Sequence, residues 1–449
     1  MTIATTTERI NAQGGLILVG KILNRACKFI ECFTPCKGAS NQQFTDTDIL
    51  KTAVGLLSQR RTHFSDTELF RQEESQIMTH ALGLNGQPSE ATFRQRFNDL
   101  AKLDQVITAL EQANQNLLKT VKPTPLKVGD RHYIANDIDV TPMNNAGSKR
   151  EKVSYTYKGF DGYAPIMSNL GVEGYLLHHE LRAGSQNGQK GTPEFLKANF
   201  QRLRELDLEE NVLVRMDSGF DSADTIQVLR DSQNAFIVKR NPRQENPVKW
   251  LGHAKSQGPP AESPREGKDI YYGTVEHYRP GGEHSTQDPL TCVYKVTERS
   301  IDKTGQELVI HDIEMELFWT NLPDSPEEII TLYRDHGTSE QFHSELKTDM
   351  KIERFPSKHF DVNALFLLCG ALAYNILRVI DSHVMGCVEG WPLFYKKRGL
   401  RQSRRRVGSI IRDFIFVASK VVTHAGRTTV KLATGWPWTK TLMKVAHTL

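Results

Sequence analysis

Three acidic residues sit where chain elements begin or end, and one helical segment gathers an acid, two basic groups and a tyrosine along one side. In RHYIANDIDVT (131–141) residue types alternate as in a strand. Asp137 and Asp139 therefore share a face, about 6.5–7 Å apart. Asp217 follows the apolar run NVLVRM (211–216), where the chain must turn. Carboxylates at strand ends of an α/β sheet are placed to line a ligand crevice, although an Asp close to a Gly is also a common turn residue. In YRDHGTSEQFHSELK (333–347), an advance of about 100° per residue puts Tyr333, His336, Glu340 and Lys347 in one stripe about 60° wide. Glu345 falls well off that stripe, and Leu332, Phe342, Leu346 and Met350 form the adjoining apolar flank. Such a stripe is an odd thing to build for stability alone. A kink at Gly337 would rotate Tyr333 and His336 relative to the rest.

The elements that must hold these residues follow from periodicity and punctuation. Residues 1–125 read as mostly helical, with helices over 45–57 and 67–82 and another opening at Pro88-Ser89. A Gly-containing turn before a helix bearing Arg94 and Arg96 is compatible with a helix-turn-helix reader and equally with a generic helical domain. From residue 130 the pattern becomes strand, strand, strand, helix, strand, helix, strand. Its hairpin turns at Gly171-Val-Glu-Gly174, and its helices start at Thr192-Pro193-Glu194 and Ser222. Residues 241–290 are rich in Pro and Gly, and a mainly β segment follows to about 320. Ser325-Pro326-Glu327-Glu328 is a capping box with Pro at the first helical position. Residues 363–381 and beyond are apolar and helical.

The chain has 449 residues, 38% of them hydrophobic and 24% charged, with mean hydropathy −0.46. It is long enough for several structural units and a core that needs no disulfide or metal staple. No apolar run nears the ~20 residues of a membrane span, and the N-terminus lacks a secretory pattern. A membrane or exported protein is not expected. Six cysteines are too scattered for a disulfide framework; Cys27, Cys32 and Cys36 cluster, but without the paired spacing of a zinc site. Net charge is +4, unevenly spread. Residues 396–449 hold thirteen Lys or Arg against one acid, Asp413, and the rest of the chain is net −8. A basic C-terminal segment on an acidic body suggests a polyanion partner. Its apolar and aromatic residues, from Ile410 to Trp438, indicate a folded element.

The strand order and the three acids resemble the RNase H-like core of DDE transposases from bacterial insertion sequences. The helix resembles the Y-x2-R-x3-E-x6-K signature of one branch, with Tyr333, Glu340 and Lys347 in place and His336 where the signature has Arg. DVT (139–141), TYKGFDGYAP (156–165), RMDSGFDS (215–222) and EQFHSELKTDM (340–350) look most like the insertion-sequence family numbered thirteen-eighty. The match spans about 130–380.

The resemblance implies an α/β fold with an RNase H-like mixed sheet flanked by helices. It implies a helical DNA-binding domain over 1–125, a catalytic core in two parts (130–240 and 321–385), a β-rich insertion over 241–320 and a basic C-terminal domain over 386–449. It implies Asp139, Asp217 and Glu340 as catalytic residues and as ligands of two Mg²⁺, with Mn²⁺ able to substitute. Asp139 would bridge the pair, with Asp137 as its competitor. Two such ions can supply an activated nucleophile and neutralise charge on both entering and leaving oxygens. Tyr333, His336, Lys347, Arg404, Arg405 and Arg406 would contact DNA phosphates. His336 would do so less firmly than Arg unless protonated. The expected activity is cleavage of insertion-sequence ends and transfer of 3′ ends into target DNA, by a homodimer on double-stranded DNA in a bacterial cytoplasm. The alternatives are a nuclease of the same fold that does not join strands, and a decayed DNA-binding derivative.

Overall fold

The protein is described from a computed structural model, which covers residues 1, 3–33, 43–72, 76–208, 211–277, 289–387, 389, 391–392 and 404–449. The N-terminal part is helical as expected, with α1 (Leu16–Arg25), α2 (Asp46–Leu57), α3 (Glu90–Leu100) and α4 (Asp104–Leu118). Thr45 opens α2 with a capping box closed by Asp48. The single helix expected over 67–82 is instead two short ones, Thr67–Arg71 and Ile77–Leu82. Gln76 has φ 47, a left-handed backbone no helix interior tolerates.

Next come β1 (Arg131–Val140), β2 (Ile166–Leu170), β3 (Tyr175–Glu180), α5 (Thr192–Glu205), β4 (Val212–Met216), α6 (Ala223–Asp231) and β5 (Ala235–Arg240). β1 is antiparallel to β2, β2 to β3, and β1–β4–β5 run parallel. Gly171 (φ 71) and Gly174 (φ 73) supply the positive φ of the β2–β3 turn. The segment after β5 contains α7 (Pro247–Gln257) and the strands β6 (Lys268–His277), β7 (Leu290–Ile301) and β8 (Glu307–Thr320). β8 pairs antiparallel with β5, with Ile237 opposite Thr320, so these strands extend the central sheet itself. The resulting order is β6-β7-β8-β5-β4-β1-β2-β3, with a short strand, Glu262–Arg265, outside β6. The whole is a large mixed α/β sheet flanked by helices.

α8 (Pro326–Arg334) starts at the Ser325–Glu328 capping box read from the sequence. A 3₁₀ turn, Asp335–Gly337, leads into α9 (Thr338–Ser344), which continues as a π-turn over Glu345–Asp349. α10 (Phe360–Gly386) has the length and composition of a membrane span, which runs of apolar residues alone did not suggest. Yet 94% of its most apolar stretch is buried inside the protein, against α2 and α4 among others. The C-terminal segment is folded as expected, with β9 (Ser419–His424), β10 (Arg427–Leu432) and α11 (Thr439–Thr448). Ile10 and Asn11 add a strand to its hairpin, so the two chain ends meet. One hydrophobic core runs from the N-terminal helices through the sheet to α11.

Candidate active site

A cleft of about 600 Å³ opens at the ends of β1 and β4, and Asp139, Asp217 and Glu340 all line it. β1 delivers Asp139 one residue before its end, with Oδ1 accepting from the Val140 N–H at 2.7 Å. Asp217 caps the 3₁₀ turn Ser218–Phe220, accepting from Gly219 N at 3.0 Å. Glu340 projects from the first turn of α9 and is exposed. Tyr333, His336 and Lys347 line the same cleft. The 3₁₀ turn at 335–337 thus breaks the ideal helix the spacing predicts, yet the four signature positions still face one hollow.

The electrostatics separate Asp139 from Asp137. Burial, then the Asp217 charge and, more weakly, Glu340 push Asp139 up to about 7, against relief from His336. Burial likewise lifts Asp217 above the usual carboxylate range. Asp137 is 2% exposed and is held on two sides. Arg215 donates from Nε at 2.6 Å and from Nη2 at 2.8 Å, and His336 Nδ1 lies 3.1 Å away. Burial would raise it, but Arg215 and His336 together hold it below the ordinary value. Asp137 is committed to the interior; Asp139 is the acid that faces the cleft.

His336 does not reach outward as a signature Arg would. Its ring is buried, its Nδ1 faces Asp137, and the Tyr333 ring lies 5.7 Å away. Burial alone would lower its pKa; Asp137 outweighs this and raises it, so the site favours the protonated ring more than water does. Lys347 Nζ lies 3.4 Å from the Pro142 carbonyl. Tyr333 is half-buried against Phe318.

Each of the three C-terminal arginines expected at DNA phosphates has an acidic partner within the chain. Arg404 donates to Glu345 at 2.7 Å, where Glu345 is fully buried, and stacks on Phe342. Arg405 is 4% exposed, pairs with Asp413, and lies over Trp438. Arg406 is half-exposed and paired with Asp349 at 3.1 Å. Two acids from outside the segment, Glu345 and Asp349, and its own Asp413 thus pair with a run that looks uncompensated in sequence. Lys396, Lys397, Arg398, Arg401 and Cys36 lie outside the described residues. Arg96 is likewise engaged, with Asp46 and the Phe44 carbonyl. Asp221 accepts from Asn241 N and Trp319 Nε1, which makes it structural. Cys27 and Cys32 are free thiols.

Tyr157, Lys158 and His343 also line the cleft and were assigned no role from sequence. The first two lie in TYKGFDGYAP, and the third stands one helical turn after Glu340. His343 Nδ1 is 3.6 Å from Asp139 Oδ2, and its buried Nε2 has no hydrogen-bond partner among the described residues. Burial and Lys347 lower it to about 3, so the ring is neutral.

The donor set of three carboxylates suits a hard divalent cation, and their mutual repulsion is what such an ion would relieve. Among the described residues, however, no three His, Cys, Asp or Glu side chains converge closely enough to enclose one ion.

The sequence matches the family model "Transposase DDE domain group 1" over residues 1–449. The chain belongs to this DDE transposase family. A structure similar to it is that of the piggyBac transposase synaptic complex with hairpin DNA, with a TM-score of 0.43 at 11% identity. That match covers 90% of this chain and 78% of the other. No curated protein is significantly similar in sequence.

Proposed function

We propose that this DDE transposase cuts DNA phosphodiester bonds at the ends of its element and joins the freed 3′ ends to target DNA. Its element would be a bacterial insertion sequence of the family numbered thirteen-eighty, and its core RNase H-like. The observation that carries the reading is the arrival of Asp139, Asp217 and Glu340, from three separated segments, in one cleft with Lys158 and Lys347.

Asp139, Asp217 and Glu340 would hold a pair of Mg²⁺, or Mn²⁺ in its place; the charges of the other two acids already act on Asp139. When bound, such ions supply an activated water and neutralise charge on the phosphate. Lys158 and Lys347 present point charges to the backbone of a strand lying in the cleft. His336, held by Asp137 at 3.1 Å, sits deeper, and when protonated it would add positive charge to the floor of the cleft. No Ser or Tyr nucleophile is needed. A homodimer would bring two ends together.

The test uses a duplex carrying the element end. Asp139→Ala, Asp217→Ala and Glu340→Ala should each abolish cleavage while end binding persists. Strand transfer with pre-cut ends separates a transposase from a nuclease that only cuts. Unimpaired cleavage by the Glu340→Ala protein would overturn the assignment.

A further inference from the structure

A second hollow, of about 350 Å³, lies at the far end of the helix that carries Glu340, lined among others by Arg60, Asp349, Arg406, Gly408 and Arg412. Arg60 comes from the turn after α2; Arg406 and Arg412 come from the C-terminal segment. The Asp349 carboxylate sits within it as an internal oxyanion. Oδ2 accepts from Arg406 Nε at 3.1 Å and from the Gly408 N–H at 3.0 Å, and Oδ1 accepts from Arg406 Nη2 at 3.2 Å. A Cβ on residue 408 would come within 3.0 Å of the carboxyl carbon, so the glycine leaves the room this cradle needs. Arg412, 64% exposed, is bonded to Asp413, which Arg405 also binds. Arg60 Nη2 lies 3.5 Å from the Thr348 carbonyl, while its buried Nε has no hydrogen-bond partner among the described residues. Arg60 and Arg412 thus line one hollow with the Asp349 carboxylate, which Arg406 binds through two nitrogens, a fork that matches phosphate oxygens as well as carboxylate ones.

We propose that this pocket grips a DNA backbone phosphate, and that such a phosphate displaces Asp349 from Arg406. Asp349 stands nine residues after Glu340, roughly 13 Å along a helix at 1.5 Å per residue. That is about four base-pair steps of duplex lying along the helix. The inference rests on the reading of the cleft as a DNA-cutting site and adds a second point of contact to it.

The experiment measures affinity of the full chain for a short duplex across a salt series, once with an element end and once with unrelated sequence. Arg60→Gln and Arg412→Gln should each flatten the log–log salt slope by about 0.9, one phosphate contact. Asp349→Asn keeps the side-chain shape but removes the competing charge. It should tighten binding and steepen the slope by about the same amount. A neutral methylphosphonate four nucleotides from the cut should cancel the Asn variant's gain, whereas one far from the site should not. Loss in the end duplex alone assigns the pocket to the element, and loss in both assigns it to DNA generally. Unchanged slopes in both Arg variants would overturn the proposal even if cleavage is intact. Altered slopes in a chain that never cuts DNA would instead overturn the cleavage reading alone. Melting temperatures check that each variant is folded, and the Arg variants decide the question if Asp349→Asn is not.

Discussion

Asp137 and Arg215 stand opposite each other on the parallel strands β1 and β4 and are joined by two hydrogen bonds, with both side chains 2% exposed. Arg215 also donates from Nη1 to the Leu332 carbonyl at 2.7 Å. One guanidinium thus ties the strand that ends at Asp139 to the helix that leads to Glu340. Truncating one partner leaves the other buried and uncompensated, so Asp137→Ala should cost about 3–5 kcal/mol. Urea unfolding measures this, and a loss below about 1 kcal/mol, the range of an exposed pair, would contradict the clamp.

Asp139 should behave in the opposite sense. Its pKa in the fold, about 7, lies above the ordinary value near 4. The unfolded chain therefore gives up this proton first, and ionisation weakens the fold as pH rises from about 4 to about 7. In metal-free buffer at pH 8, Asp139→Asn should raise stability by about 2–4 kcal/mol while abolishing cleavage. A destabilised Asn variant would mean the carboxylate is compensated within the protein.

How much of this could be read from sequence depends on the range of each interaction. Strands β1 and β4 and the Ser325 cap come from local alternation and capping chemistry, and all appear where expected. Asp137 and Asp139 could not be separated, because both lie on one face and only the partner strand, through Arg215, distinguishes them. Arg404 looked free because its partner Glu345 lies 59 residues away, beyond any local charge count. Within the β-rich segment 241–320, β8 joins β5 of the central sheet, a pairing no local pattern encodes.

His336 offers a titration test. Its charge-dependent contribution is full below the ordinary value near 6.5 and is lost as pH rises through its raised pKa in the fold. Asp137, held low, contributes above about 4 and loses that contribution as pH falls through its own pKa. Asp137→Asn removes the chief raising influence and leaves burial and Arg215, which lower the imidazole, against the weaker raising influence of Asp139. The His336 NMR titration should then move from above to below its ordinary value. His336→Arg would set two guanidiniums against one buried carboxylate and should destabilise the protein.

Glu340 and Glu345, five residues apart, should fail differently. Glu345 is fully buried with Arg404 and accepts from Val407 N, so Glu345→Ala should cost about 3–5 kcal/mol. Glu340 is exposed in the cleft, so Glu340→Ala should leave the melting temperature nearly unchanged and remove cleavage. Equal melting temperatures for the two variants would refute this division.

His343 is placed to orient Asp139 from behind. Its Nδ1 faces Asp139 Oδ2 at 3.6 Å, a distance a small shift would turn into a hydrogen bond, and the neutral ring can carry the donor hydrogen there. Side chains that orient metal ligands from outside are worth about 10–100-fold in metal affinity or activity. Asparagine puts its amide nitrogen near the place of Nδ1, whereas glutamine puts it near that of Nε2. Mn²⁺ binding followed by electron paramagnetic resonance should therefore weaken by about 10–100-fold in His343→Gln and His343→Ala, with His343→Asn close to the native chain. Cleavage should follow the same order from pH 5 to 9, because a ring that titrates at about 3 stays neutral throughout. If His343 only fills space, all three variants would lose stability and none would lose Mn²⁺ affinity selectively. Glutamine rescuing as well as asparagine would shift the role to Nε2, the atom that has no partner among the described residues.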